Sequence, residues 1–252
     1  MGEETTDSEE TTTGATDGTV ADGEGTAGAT EAVWGLRATL REIRLAERRF
    51  GRDEGSVRLV AVSKTHSAEV IAPLLSGGHR LFGENRVQEA MGKWPSLRER
   101  FSDLELRLIG PLQSNKAGEA VATFDAIESV DREKIARALA REMEKRDRRL
   151  PVWVQVNTGE EPQKAGVPPR DAVGFVEICR EMGHDVRGLM CIPPASENPG
   201  PHFALLAKLA DEAGLPERSM GMSGDFAEGV RQGATSVRVG SAIFGMRGTA
   251  AG

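Results

Sequence analysis

Lys64 closes an apolar run spanning residues 58–64, and Val60 and Val62 share its parity, so on a strand all three side chains face the same way. A lysine amine at the buried end of such a strand is costly to keep charged. Its pKa is expected to fall, which is what an amine needs to attack an aldehyde. Taken alone, the plainer reading outweighs this one: a lysine that lays its stem along the strand and its ammonium in water. A second chemistry is spelled by Gly240 and Ser241, which end the run 236–240 and open a short helical stretch over 241–244, and by Ser223, which follows the run 218–222. Glycine lets an anion reach the backbone, and a serine at a helix start offers a hydroxyl and an amide, so the three could hold a phosphate. Two ordinary capping serines are the alternative. Arg238 alternates with Val237 and Val239 and so faces away from them. It either meets a ring nitrogen of a bound heterocycle or makes a structural ion pair, and its position does not choose between these. Lys116 and Lys164 fall in polar loops after strands, where an amine stays hydrated and charged near neutral pH.

Eight short apolar runs must position these groups: 58–64, 80–83, 104–110, 125–129, 152–157, 186–192, 218–222 and 236–240. They are nearly continuous in hydrophobicity, as strands of a parallel sheet covered on both faces are. Helical patterns separate them. Thr30 is read as the N-cap of a first helix carrying Val33, Leu36, Leu40 and Ile43 on one face. Asp131 is read as the cap of a helix with Ile135, Ala138, Leu139 and Met143. Asp171 opens another, and a further one covers 202–213, ended by Gly214 and Pro216. Eight βα units with right-handed crossovers close into a single (β/α)8 TIM barrel with an extra N-terminal helix, an open doubly wound sheet being the alternative. Lys64, Asn85, Ser223, Arg238, Gly240 and Ser241 all stand where strands end, the face on which such barrels carry their sites.

The chain has 252 residues and a formal charge of −7, but the charge is unevenly placed. Residues 1–32 hold nine acidic residues and no Lys or Arg, leaving 30 acidic against 32 basic residues in the remainder. A nearly neutral folded part argues against a nucleic-acid partner. Residues 1–29, rich in Thr, Gly, Asp and Glu, are expected to be a disordered acidic tail ahead of a barrel over 30–248. No run approaches a membrane span and no secretory signal opens the chain, so a cytoplasmic protein is expected. Cys179 and Cys191 read as core thiols, and no His/Asp/Glu cluster has the spacing of metal ligands.

Several motifs in series carry a resemblance over about residues 33–246. They are Val62-Ser63-Lys64-Thr65, Phe82-Gly83-Glu84-Asn85-Arg86-Val87-Gln88-Glu89, Ile109-Gly110-Pro111-Leu112-Gln113-Ser114-Asn115-Lys116, the stretch from Val156 to Gly166, Ser219-Met220-Gly221-Met222-Ser223-Gly224-Asp225, and Val237-Arg238-Val239-Gly240-Ser241-Ala242-Ile243-Phe244-Gly245. Together they resemble the pyridoxal phosphate homeostasis protein family. The resemblance implies a barrel like the N-terminal domain of alanine racemase, with pyridoxal 5′-phosphate (PLP) held as a Schiff base on Lys64. It further implies phosphate contacts from Ser223, Gly240 and Ser241, Arg238 beside the pyridine nitrogen, and Asn85 as a pocket residue. The implied role is to buffer and deliver PLP to PLP-requiring apo-enzymes, with no dedicated turnover and no catalytic residue assigned. Lys116 or Lys164 could hold a second, transient PLP or the phosphate of an acceptor. Two positions depart from the family pattern: Arg107 stands where a histidine is usual, leaving the polarity near the third strand open, and Gly229 stands for alanine, which should weaken its helix by roughly 1 kcal/mol.

The rival reading is a PLP-dependent racemase of small amino acids. A two-faced racemase of this type uses a tyrosine from a second domain, and the sequence contains no tyrosine and ends at Gly252, soon after the last strand. No second domain, and hence a monomer, is expected. Of the histidines only His66 lies near a strand end, where a solvated loop residue is the simpler expectation. A third reading, an aldolase-like barrel with Lys64 binding substrate directly, predicts a protein without a visible cofactor.

Overall fold

The computed structural model describes residues 1–2 and 21–245. Helix α1 (Ala21–Arg49) leads into strand β1 (Arg58–Val62), and strands and helices then alternate. The series continues α2 (Ala68–Ser76), β2 (Leu81–Glu84), α3 (Val87–Arg100), β3 (Glu105–Leu108), α4 (Ala117–Thr123) and β4 (Ala126–Val130). It proceeds through α5 (Glu133–Lys145), β5 (Pro151–Val156), α6 (Ala172–Glu181), β6 (Asp185–Cys191), α7 (Pro199–Glu212) and β7 (Glu217–Ser219). It ends with α8 (Phe226–Arg231), β8 (Ser236–Val239) and α9 (Ser241–Phe244). All eight strands pair in parallel, each with its sequence neighbour, and β8 returns to β1 through Val60↔Arg238 and Ala61↔Val239, closing the barrel.

Strand parity divides two interiors. Leu59, Ala61, Phe82, Leu106, Leu108, Val237 and Val239 point outward into the large core shared with the helices. The opposite parity fills the barrel, where Ala126, Trp153 and Met190 form a small separate cluster and the Arg107 guanidinium lies 4.6 Å from the Trp153 ring centre. The helices cover the outer faces by the periodicity expected: Ile135, Leu139 and Met143 of α5 are buried together.

Some local expectations fail at element ends. Helix α1 begins at Ala21, so Thr30 lies inside it and is not its N-cap. The segment 21–29, expected to belong to a disordered tail, is therefore helical, while 3–20 and 246–252 lie outside the described residues. Asp131 sits one residue before Arg132, which holds the cap position of α5. Strand β1 ends at Val62 and not at Lys64, although the Ser63 amide still donates to the Gly83 carbonyl (3.1 Å), carrying the pairing one residue further. Gly229 does more than loosen α8: a Cβ there would lie 2.8 Å from the Met220 carbonyl oxygen, so glycine lets the helix settle on the seventh strand's exit.

Candidate functional site

Lys64, Asn85, Ser223, Arg238, Gly240 and Ser241 line one cavity of about 350 Å³ at the C-terminal mouth of the barrel. Val62, Thr65, His66, Ile109, Met222, Gly224 and Gly245 complete its wall. The walls come from the exits of β1, β2, β3, β7 and β8, so residues as far apart in sequence as Lys64 and Ser241 meet because a closed sheet places its first and last strands side by side.

Lys64 follows β1 by two residues and is half-buried, and its amine makes no hydrogen bond or ion pair with any described residue. The next residue, Thr65, has φ of 67°, the left-handed region that a β-branched side chain rarely adopts. Strain of this kind costs on the order of 1–3 kcal/mol and persists only where surrounding contacts dictate it. Those contacts begin with Glu84, fully buried at the end of β2, whose Oε1 accepts the Ser63 hydroxyl (2.6 Å) and the Trp94 indole N–H (3.1 Å). Burial pushes the Glu84 carboxyl up against the opposing charge of Lys93.

His66 was not expected here. Its ring stacks on Phe244 of α9, with centroids 4.5 Å apart and planes 20° from parallel, and it faces the cavity half-buried instead of lying in a solvated loop. Burial, then the charge of Lys93, hold its imidazole below the ordinary value, so the ring is neutral at pH 7. No sequence signal beyond its place two residues after Lys64 marked it.

On the opposite wall, the Gly240 amide donates to Ser223 Oγ at 3.3 Å, joining the exits of β7 and β8. The turn holding Ser223 is shaped by the Asp225 carboxylate, which accepts the Met222 amide at 2.5 Å. A Cβ at Gly240 would come within 3.2 Å of the Val62 carbonyl oxygen, so glycine is what lets this turn lie against β1.

Arg238 is buried and makes no direct ion pair among the described residues, which counts against the plainer of its two sequence readings. Its guanidinium donates to the Cys191 carbonyl (2.7 Å) and to Ser219 Oγ (2.7 Å). The Ser219 hydroxyl in turn donates to Glu128 Oε2 (2.6 Å), and the other oxygen of Glu128 accepts Arg107 Nη1 (2.7 Å). Arg107 continues to Glu105 (2.7 Å), which pairs with Arg58 at the barrel's lower rim. A chain of charge thus crosses the barrel interior from mouth to base. Glu128 and Ser219 were missed in the sequence, although each is a polar residue inside an apolar strand. Arg107 is accounted for: it lies buried between two carboxylates.

The other candidates are elsewhere. Lys116 pairs with Glu119 (2.9 Å) and Lys164 with Glu161 (2.6 Å), and neither lines this cavity. Burial pushes the thiols of Cys179 and Cys191 up to about 12, which makes both inert. Among the described residues no group of three or more His, Cys, Asp or Glu is arranged to hold a metal ion, and no helix is long and apolar enough to cross a membrane.

Residues 36–248 match the family model of the alanine racemase N-terminal domain. A protein of Aquifex aeolicus named pyridoxal phosphate homeostasis protein is 38% identical over 222 residues, covering 84% of this chain and 96% of that one. The chain belongs to the pyridoxal phosphate homeostasis protein family. Among solved structures it is similar to PipY of Synechococcus elongatus with PLP bound, at 39% identity and a TM-score of 0.70, covering 80% of this chain and 98% of PipY. Alanine racemase of Clostridium difficile, at 17% identity and a TM-score of 0.66, covers 86% of this chain and 58% of its own, and shares the fold.

Proposed function

We propose that this protein binds PLP in the mouth cavity through a Schiff base on Lys64 and serves intracellular PLP homeostasis, buffering the cofactor and passing it to apo-enzymes. The observation that carries the reading is that the unpaired Lys64 amine and the Ser223–Gly240–Ser241 wall share one cavity with a buried guanidinium. The donor set fits the group: an amine for its aldehyde, hydroxyls and an amide for its phosphate, and Arg238 for its ring nitrogen. The cavity's volume lies within the roughly 300–1,000 Å³ of small-molecule sites. When bound, PLP supplies an electrophilic carbon and a conjugated ring.

The residues bind and orient more than they transform. Lys64 is free to turn toward an aldehyde. Ser223, Gly240 and Ser241 take the phosphate, and Asn85 closes the side wall. Arg238 offers the ring nitrogen a hydrogen-bond donor and no carboxylate, which keeps the ring a weaker electron sink than an acidic partner would. This disfavours decarboxylation and transamination, which draw on a stronger sink. A racemase-like side activity finds its one support in His66, a neutral base on the cavity wall. We place the protein in the cytoplasm as a monomer.

The test is spectroscopic. Adding PLP should give the visible band of a protonated imine, and borohydride reduction followed by peptide mapping should put the pyridoxyl group on Lys64. Lys64→Ala should abolish both. A wild-type protein that stays colourless with PLP overturns the reading in favour of an aldolase-like barrel.

A further inference from the structure

The loop carrying Lys64 is held by one side chain that the proposed chemistry does not use. Lys93, on the second turn of α3, is nine-tenths buried, and its ammonium has four acceptors around it. It donates to the backbone carbonyls of Ser63 (2.7 Å) and His66 (2.9 Å), the residues on either side of the Lys64-Thr65 pair. It pairs with Glu84 Oε1 at 2.8 Å and with Glu89 Oε1 at 3.0 Å. The two carboxylates grip the same loop. Glu84 accepts the Ser63 hydroxyl, and Glu89 accepts the Thr65 amide. Every residue of the four-residue turn except Lys64 is therefore tied by side chain or backbone to the Glu84–Lys93–Glu89 group.

We propose that Lys93 is a positioning residue: with Glu84 and Glu89 it forms a latch that holds the 63–66 turn so that Lys64 projects, untied, into the cavity. The inference rests on Lys64 being the PLP anchor and adds what keeps it in place. The physical case is one of count and geometry. An ammonium has three N–H donors, all directed at acceptors of this turn or at the carboxylates that grip it. The left-handed Thr65 conformation is one a free loop would leave, and the bond from its amide to Glu89 together with the carbonyl bonds on either side keep it there. Buried as it is, the ammonium would lose much if these partners were removed. Fixing the turn before the ligand arrives removes an ordering cost from binding, so PLP should be retained longer than on a loose turn.

Lys93→Met keeps the apolar stem and removes the charge. In the PLP-free protein, amide hydrogen exchange over 63–66 should accelerate by roughly tenfold or more, and PLP loss after dilution, followed by the visible band, should speed up by a similar factor. A lower Tm alone would not count, since any buried substitution gives one. Should Lys93→Met fail to fold, Glu89→Gln on the partly exposed rim should move both readouts in the same direction by a smaller factor. Folded variants that match wild-type exchange and wild-type PLP retention overturn the latch, while the wild type's own uptake of PLP leaves the cofactor reading standing. A wild type that never acquires the band overturns the cofactor reading, and with it the claim that the latch serves Lys64.

Discussion

Two cations face the same cavity and are held in opposite ways. Lys64, on the β1 side, is half-buried and unpaired, and all the restraint falls on the backbone around it. Arg238, on the β8 side, is itself buried and bonded to Ser219 and Cys191, and through Ser219 to a chain of charges running down the barrel. The contrast follows from what each group has to do. An amine that forms and breaks a covalent bond must be free to rotate and to exchange a proton, so the protein restrains its loop and leaves the side chain loose. A guanidinium that only presents a fixed charge and hydrogen bonds works best when its orientation is settled before the ligand arrives.

The comparison can be broken most directly by substituting each side's support. Arg107→Met should cost about 3–5 kcal/mol of stability, because it leaves the buried Glu128 without its charge partner. Lys64→Met should change stability by less than about 0.5 kcal/mol, because that amine has no partner among the described residues. Urea unfolding of the two variants measures both, and equal losses would show that Lys64 is tied after all. A smaller effect tests the ligand wall. Ser223→Ala should weaken PLP affinity by about fivefold to tenfold, near 1 kcal/mol for one lost hydrogen bond, with no shift in the imine band, as read by titration. Unchanged affinity would move the phosphate away from Ser223.

The smallest effect concerns pH. His66, His79 and His184 are all held below the ordinary imidazole value, in each case first by burial. Below about pH 6.5 the unfolded chain therefore binds protons that the folded one refuses, so stability present above that pH is lost as the pH falls toward the folded values. Tm should decline from pH 7 to pH 5. His184→Gln, whose ring sits against the Ala136 carbonyl far from the cavity, should flatten part of that slope while leaving PLP uptake intact. A slope that instead disappears only with His66→Gln would place the whole acid sensitivity at the mouth.

How much of this was legible in the sequence depends on the range of the interaction. Hydrophobic periodicity located all eight strands to within a few residues, because each run's burial is decided by its own side chains. The ends were less readable. Thr30 and Asp131 have the right chemistry for caps, yet helix starts depend on what the preceding backbone packs against, and α1 continues back to Ala21. The six cavity residues were legible because motifs at strand ends, together with the family resemblance, marked them. His66 was not, since its burial comes from Phe244, which only barrel closure brings beside it.

By itself, then, the sequence determined the alternation of strands and helices, the parity that sends Lys64 and Arg238 inward, and the residue types at each strand exit. Only the tertiary structure decided which charges meet. Whether Arg238 would pair with a carboxylate or reach one through a serine, whether Arg107 would find Glu128, and whether Lys93 would reach back to the Lys64 turn are all settled across strands and helices far apart in the chain. Local propensity is set by neighbours in sequence, whereas the pairing of buried charges is set by distances of a few ångströms that exist only once the barrel has closed.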